Sequence, residues 1–175
     1  MERILLADTV TQDELDDVRL KHGFRLANVI AARSGIPAQQ VLLTSDRRHV
    51  LQVVDDTQLG VRYVVVTGPQ EVETRTVVEA ALPTIGGAEV DRMLDQGEPR
   101  ALGLAALMHP TARPHVLQAF DRAFIDRRDA VRTFALVASA YARWPELRSR
   151  VSRVAGTDPG EAIRERALLI LDAWP

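Results

Sequence analysis

Short apolar runs, helical spacing and alternation succeed one another along this chain, and each rhythm points to an element. Residues 3–7 form an apolar run too short for periodicity to separate a strand from the lead-in to a helix, and a strand is the expectation. Thr11 followed by Glu14 is a capping-box pattern, opening a helix whose first turns carry Asp13, Glu14, Asp16 and Asp17. Leu15, Val18 and Leu20, then Leu26, Val29 and Ile30, keep a helix-compatible spacing interrupted at Gly23. This predicts one kinked helix or two short ones, ended at Ser34, Gly35, Ile36 and Pro37. Strand-like runs come next at 40–44, 49–54 and 61–67, separated by short polar segments that predict antiparallel hairpins. Alternation is lost after Tyr63, as in a strand covered on both faces and central in its sheet. Residues 71–82 read as an amphipathic helix stopped by Pro83. Residues 1–82 are therefore expected to form a small α/β domain, with three or four mainly antiparallel strands and helices on one face.

From residue 83 the rhythm is helical, and one short phrase occurs three times. Arg100, Arg132 and Arg164 stand 32 residues apart; a small residue (Gly103, Ala135, Ala167) and a leucine (Leu104, Leu136, Leu168) come after each at fixed distances, the signature of stacked helical repeats. The helices before the phrase are related as well. Pro114, Val116, Phe120 and Ala123 match Pro145, Leu147, Val151 and Val154 at an offset of 31, while Gly86 and Gly87 break the match and shorten the first such helix to about 88–95. His109-Pro110, Trp144-Pro145 and Trp174-Pro175 place a ring before a proline at the end of each copy, where proline cannot continue a helix. The fold class predicted is α+β: a small antiparallel sheet with helices, succeeded over 83–175 by a short α-solenoid of three repeats.

The order of proline or glutamate, then Val-Arg or Ile-Arg, then Ala-Leu resembles HEAT repeats of the short, phycobilisome-lyase type over residues 88–175. The resemblance implies architecture more than activity. Families built this way include protein-binding scaffolds, bilin lyases, DNA alkylation-repair glycosylases and a di-iron hydroxylase. The hydroxylase takes its iron ligands from His-Glu dipeptides, and none occurs in this chain.

Composition narrows the chemistry. At 175 residues and 46% apolar content the chain can bury a core. It has no cysteine, which excludes disulfides, thiolate zinc sites and cysteine nucleophiles. The first residues carry too few apolar positions for a secretory segment and no run approaches a membrane span, so a cytoplasmic location and no membrane partner are expected. A net charge of −2 removes any global argument for nucleic-acid binding; Lys21 is the single lysine, a bias that reads as GC-rich coding.

Charge is uneven locally. Between residues 122 and 153, Arg122, Arg127, Arg128, Arg132, Arg143, Arg148, Arg150 and Arg153 face only Asp126, Asp129 and Glu146, an excess of five. Seven of these arginines, all but Arg132, are the candidate binding residues, for an acidic protein surface or for phosphates, against the alternative of a solvated face. Arg100, Arg132 and Arg164 are read as stacking residues that pair with acidic residues near the turns, such as Glu98, Asp129 and Glu161. His109 and His115 lack further ligands and helical i, i+4 spacing, so no metal and no cofactor are expected. Asp13 to Asp17 suit a helix dipole, Asp55 and Asp56 a hairpin turn; Ser34 and Ser45 have no nucleophile-elbow context, and Gly86-Gly87 is no phosphate loop.

No catalytic residues emerge, and the reading leans away from an enzyme. The expected function is a non-catalytic protein–protein interaction module, an adaptor or an inhibitor of immunity type, binding a partner with an acidic surface through the solenoid and its Arg-rich face. The alternatives are a nucleic-acid-binding or repair-associated HEAT protein, and a small-molecule enzyme with a site between the two halves. Leu168, Leu171 and Trp174 either meet a second copy in a homodimer or fold back onto the preceding helix.

Overall fold

A computed structural model of the chain describes residues 3–174 except 34, 45, 47 and 70. Ser34, Ser45 and Pro175 lie outside the described residues. The fold is α+β, with one five-stranded antiparallel sheet and eight helices among the described residues. The chain divides into two compact units, residues 1–86 and 87–175. The division falls four residues beyond the expected one because residues 83–85 are tied to the first strand: Pro83 O accepts from Ala7 N, Thr84 bridges Leu6, and Ile85 N donates to Leu5 O, each backbone bond at 2.9 Å.

In the first unit, β1 (Arg3–Leu5) is the strand expected of the opening run. Helix α1 (Gln12–Lys21) starts with a complete capping box: Thr11 Oγ1 accepts from Glu14 N, and Glu14 Oε2 accepts from Thr11 N at 2.7 Å. The bonds that Thr11 N and Thr11 Oγ1 donate to the carboxylate hold the Glu14 pKa below its usual range. The helix ends at Gly23, whose φ of 67° is the left-handed conformation that glycine adopts freely.

Beyond Gly23 the structure departs from expectation. Residues 25–30 are strand β2 (Arg25–Ile30), not a second helix. The helix-like spacing of Leu26 and Val29 comes from a β-bulge. Leu26 pairs with Leu42 and Val29 with Gln40, positions two apart on the neighbouring strand, so an extra residue on β2 puts side chains three apart on one face. Gly35 is left-handed as expected, with φ of 75°, but it serves a hairpin closed by the Arg33–Ile36 bridge and not a helix stop.

Strands β3 (Ala38–Leu43), β4 (Val50–Asp56) and β5 (Val61–Thr67) form the expected meander, in the sheet order β1-β5-β4-β3-β2. The sheet has five strands where three or four were expected, since β1 and β2 both join it. Strand β5 is interior and buried on both faces, but the middle place belongs to β4. Helix α2 (Glu71–Ala81) shares one face of the sheet with α1: Leu15 and Val78 join Leu42, Leu51, Val53, Val64 and Val66 in a single apolar cluster.

The second unit is helical: α3 (Gly87–Asp95), α4 (Arg100–Met108), α5 (Pro114–Phe124), α6 (Asp129–Ala142), α7 (Pro145–Thr157) and α8 (Glu161–Asp172). Odd-numbered helices pack on one another (α3 on α5, α5 on α7), and so do even-numbered ones (α4 on α6, α6 on α8). Pro114 and Pro145 occupy first-turn positions, where the missing N–H is no loss. In α5 the buried residues Val116, Ala119, Phe120, Ala123 and Phe124 mark one helical stripe.

The repeated small residues Gly103, Ala135 and Ala167 are all buried, which permits close helix approach. The leucines next to them diverge. Leu104 and Leu136 are fully buried, whereas Leu168 is 52% exposed and Leu169 is exposed beside it. Of the ring residues before proline, Trp144 is 2% exposed and donates from Nε1 to His109 O at 3.2 Å, linking the ends of two copies. Burial, with the positive charge of Arg113 nearby, lowers the His109 pKa and favours its neutral form. His115 pairs instead with Asp91 at 2.9 Å, and among the described residues no three His, Asp or Glu groups meet as a metal site. No helix of the described residues is long and apolar enough to cross a membrane.

Candidate functional site

The helical unit carries an open groove of about 420 Å³ between the α5–α6 turn and the α7–α8 turn. Its apolar lining comes from Phe124, Val154 and Ile125, the last 82% exposed although a large hydrophobe. Four arginines (Arg127, Arg132, Arg150, Arg153) and four aspartates (Asp121, Asp126, Asp129, Asp158) complete the charged lining. The groove is neutral by count, so its electrostatics depend on which charges already have partners.

Every one of the four carboxylates does. Arg132 is held by both oxygens of Asp158, from Nε at 2.7 Å and from Nη2 at 3.2 Å. It also donates to Asp129 Oδ1 at 2.8 Å and to Asp126 O at 2.7 Å. These bonds raise the Arg132 pKa, the Asp158 carboxylate contributing most. Asp121 receives two parallel bonds from Arg150, at 2.7 and 3.0 Å, in the bidentate geometry that suits a guanidinium. Asp126 receives Arg128 Nε and Nη2, each at 2.9 Å, and the Arg128 backbone N–H at 2.8 Å. The Arg128 bonds to the charged carboxylate hold Asp126 well below the usual range. Arg127 and Arg153 are exposed and form no ion pair among the described residues. Counting Arg128, the partner of Asp126, five arginines stand against four aspartates, and the positive balance falls on Arg127 and Arg153.

The candidate arginines thus separate. Arg127, Arg150 and Arg153 line this groove, and Arg150 is already neutralised by Asp121. Arg122 and Arg128 line a neighbouring groove of about 290 Å³, with Arg128 committed to Asp126. Arg148 is exposed and lines neither of these grooves. Arg143 has a backbone role: it caps α6 at φ 49° and ψ 28°, the left-handed conformation unfavourable to a residue with a Cβ. Replacing it with glycine is expected to stabilise the unit by about 0.5–1 kcal/mol, read as a higher urea midpoint with unchanged slope.

The stacking arginines also differ from one another. Arg132 pairs with the expected Asp129, but its strongest partner comes from the next turn along the chain. Arg164 donates to the carbonyls of Asp158 and Pro159, at 2.6 and 3.2 Å, and has no carboxylate partner among the described residues. Arg100 is half-buried at the start of α4.

Asp121 and Asp158 fall just outside the segment from 122 to 153, and including both reduces its excess from five to three (eight arginines against five acids over 121–158). The signal that finds Asp158 is the repeat itself. Asp126 and Asp158 stand 32 apart, and each accepts the backbone N–H two residues on, from Arg128 and Gly160, both at 2.8 Å. No protein-family model matches the chain, and no curated protein or solved structure matches it.

Proposed function

We propose that the chain is a non-catalytic protein-interaction module, of adaptor or inhibitor type, whose helical unit takes an acidic, partly apolar segment of another protein in the 420 Å³ groove. The observation that carries this reading is the pairing of charges in the groove: all four aspartates are engaged by internal guanidinium or backbone donors, while Arg127 and Arg153 carry no ion pair among the described residues. A ligand carboxylate there gains charge-assisted bonds without breaking an existing pair. Exposed Ile125 beside Phe124 and Val154 offers an apolar contact at the same place. Nucleic acid needs a longer run of free cations, because its affinity comes from many phosphate contacts. Here Arg128, Arg132 and Arg150 are already neutralised.

Fluorescence anisotropy tests the reading with two labelled probes, a Glu/Leu-rich peptide and a single-stranded oligonucleotide of equal charge, at about 50 and about 200 mM salt. The peptide is expected to bind, and Arg127→Glu with Arg153→Glu to weaken it at least about tenfold. Tighter binding of the oligonucleotide with a steep loss in salt, or peptide binding indifferent to both reversals, overturns the reading.

A further inference from the structure

The two grooves of the helical unit are related by the repeat. Helices α5 and α7 correspond at an offset of 31, which matches Arg122 to Arg153 and Ala123 to Val154; the turns correspond at 32, matching Asp126 to Asp158. Arg122 and Ala123 line the smaller groove, Arg153 and Val154 the larger, and Asp126 borders both. Each groove therefore presents an exposed arginine with no ion pair among the described residues, at the same place on its helix.

We infer that the two grooves form one continuous track for an extended acidic segment, in which side chains at i and i+3 of a polyproline II conformation meet Arg122 and Arg153. The inference rests on the acidic-segment reading and adds its register. Helices α5 and α7 pack together, and packed helices lie about 8–10 Å apart, so the two arginines repeat at about that interval. A polyproline II chain rises about 3.1 Å per residue with three residues per turn, so positions i and i+3 fall about 9 Å apart on one side. A β-strand repeats its face every two residues, at about 6.6 Å, and misses the interval. A helix repeats near it only at i and i+7, and its diameter of about 10–12 Å is too wide for cavities of 290 and 420 Å³ with the Asp126 turn between them.

The test uses the whole chain and labelled proline-rich peptides carrying two glutamates at i, i+1 or i, i+3, a peptide with one glutamate, and a helical peptide with glutamates at i, i+7. The i, i+3 peptide is expected to bind about tenfold more tightly than the single-glutamate peptide, because the second contact forms within one complex. Arg122→Glu and Arg153→Glu are each expected to abolish that advantage, and Arg148→Glu to leave it. All three changes lie on exposed helix surface, and unchanged thermal melts confirm that the fold is intact. Equal binding at every spacing, or preference for the i, i+7 helix, overturns the register while the acidic-segment reading stands. Binding of none of the peptides overturns both.

Discussion

Trp144→Ala is expected to cost about 3–5 kcal/mol of stability in the helical unit, the cost of deleting a fully buried aromatic side chain. Trp144 is 2% exposed, its ring meets Phe120 edge to face with centroids 6.0 Å apart and planes at 80°, and its Nε1 donates to His109 O at 3.2 Å. The ring thus does two jobs: it fills the space beside α5 and ties the end of α4 to the start of α7. Trp144→Phe separates them. It keeps an aromatic contact with Phe120 but leaves the buried His109 carbonyl without its donor, for a loss of about 1–3 kcal/mol. Urea unfolding monitored by far-UV circular dichroism measures both variants, since either change removes a fluorescent reporter. A loss below about 1 kcal/mol for alanine contradicts the packing role.

The features legible in the sequence are those whose causes are local. Thr11 and Glu14 cap α1 through bonds spanning three residues, and the hairpin from β4 to β5 is closed by Asp56 Oδ1, which accepts from Gln58 and Leu59 N at 3.0 and 3.1 Å. Strand β2 is illegible for the converse reason. As an edge strand with a bulge it loses alternation, and most of its residues are exposed, so no buried face marks it. The 32-residue period announces the helix pairs, but it does not say which aspartate each arginine meets. Asp158 lies 26 residues from Arg132 and reaches it only through packing of one turn on the next. The net charge of the Arg-rich segment misleads for the same reason, because Asp121 and Asp158 enter it through space. The left-handed Arg143 has no signal at all, since arginine is not a residue that marks such a cap.

Those through-space pairs are unequal in weight. Arg128 and Asp126 are bonded at 2.9 Å, but Arg128 is largely exposed, so water screens the pair and its contribution to stability is negligible. In the proposed reading its part is in the groove, where it engages a carboxylate that would otherwise repel an acidic ligand. The Arg132–Asp158 pair is shielded: the two side chains are only 6% and 2% exposed. With the bond from Arg132 to the Asp126 carbonyl, it ties together the two turns that wall the larger groove.

Asp158→Ala is accordingly expected to destabilise the helical unit by about 3 kcal/mol. Removing one partner of a buried pair typically costs about 3–5 kcal/mol, and the lower end applies because the Arg132 guanidinium keeps a second carboxylate, Asp129. Arg132 would retain Asp129 Oδ1 and the Asp126 carbonyl, and Gly160 N would lose its acceptor at the start of α8. Arg132→Met is expected to lose a similar amount, by burying Asp158 with only the Gly160 N–H to satisfy it. The double change Arg132→Met with Asp158→Leu removes both charges and refills the space, so it is expected to cost less than the sum of the singles and to approach the wild-type urea midpoint. Additive losses across that cycle would mean that the two residues act independently, and the turns of the groove would then be held by something other than this pair. The same variants connect stability to binding. If the pair sets the groove, the double variant keeps the fold but weakens the acidic peptide, although neither Arg127 nor Arg153 has been touched.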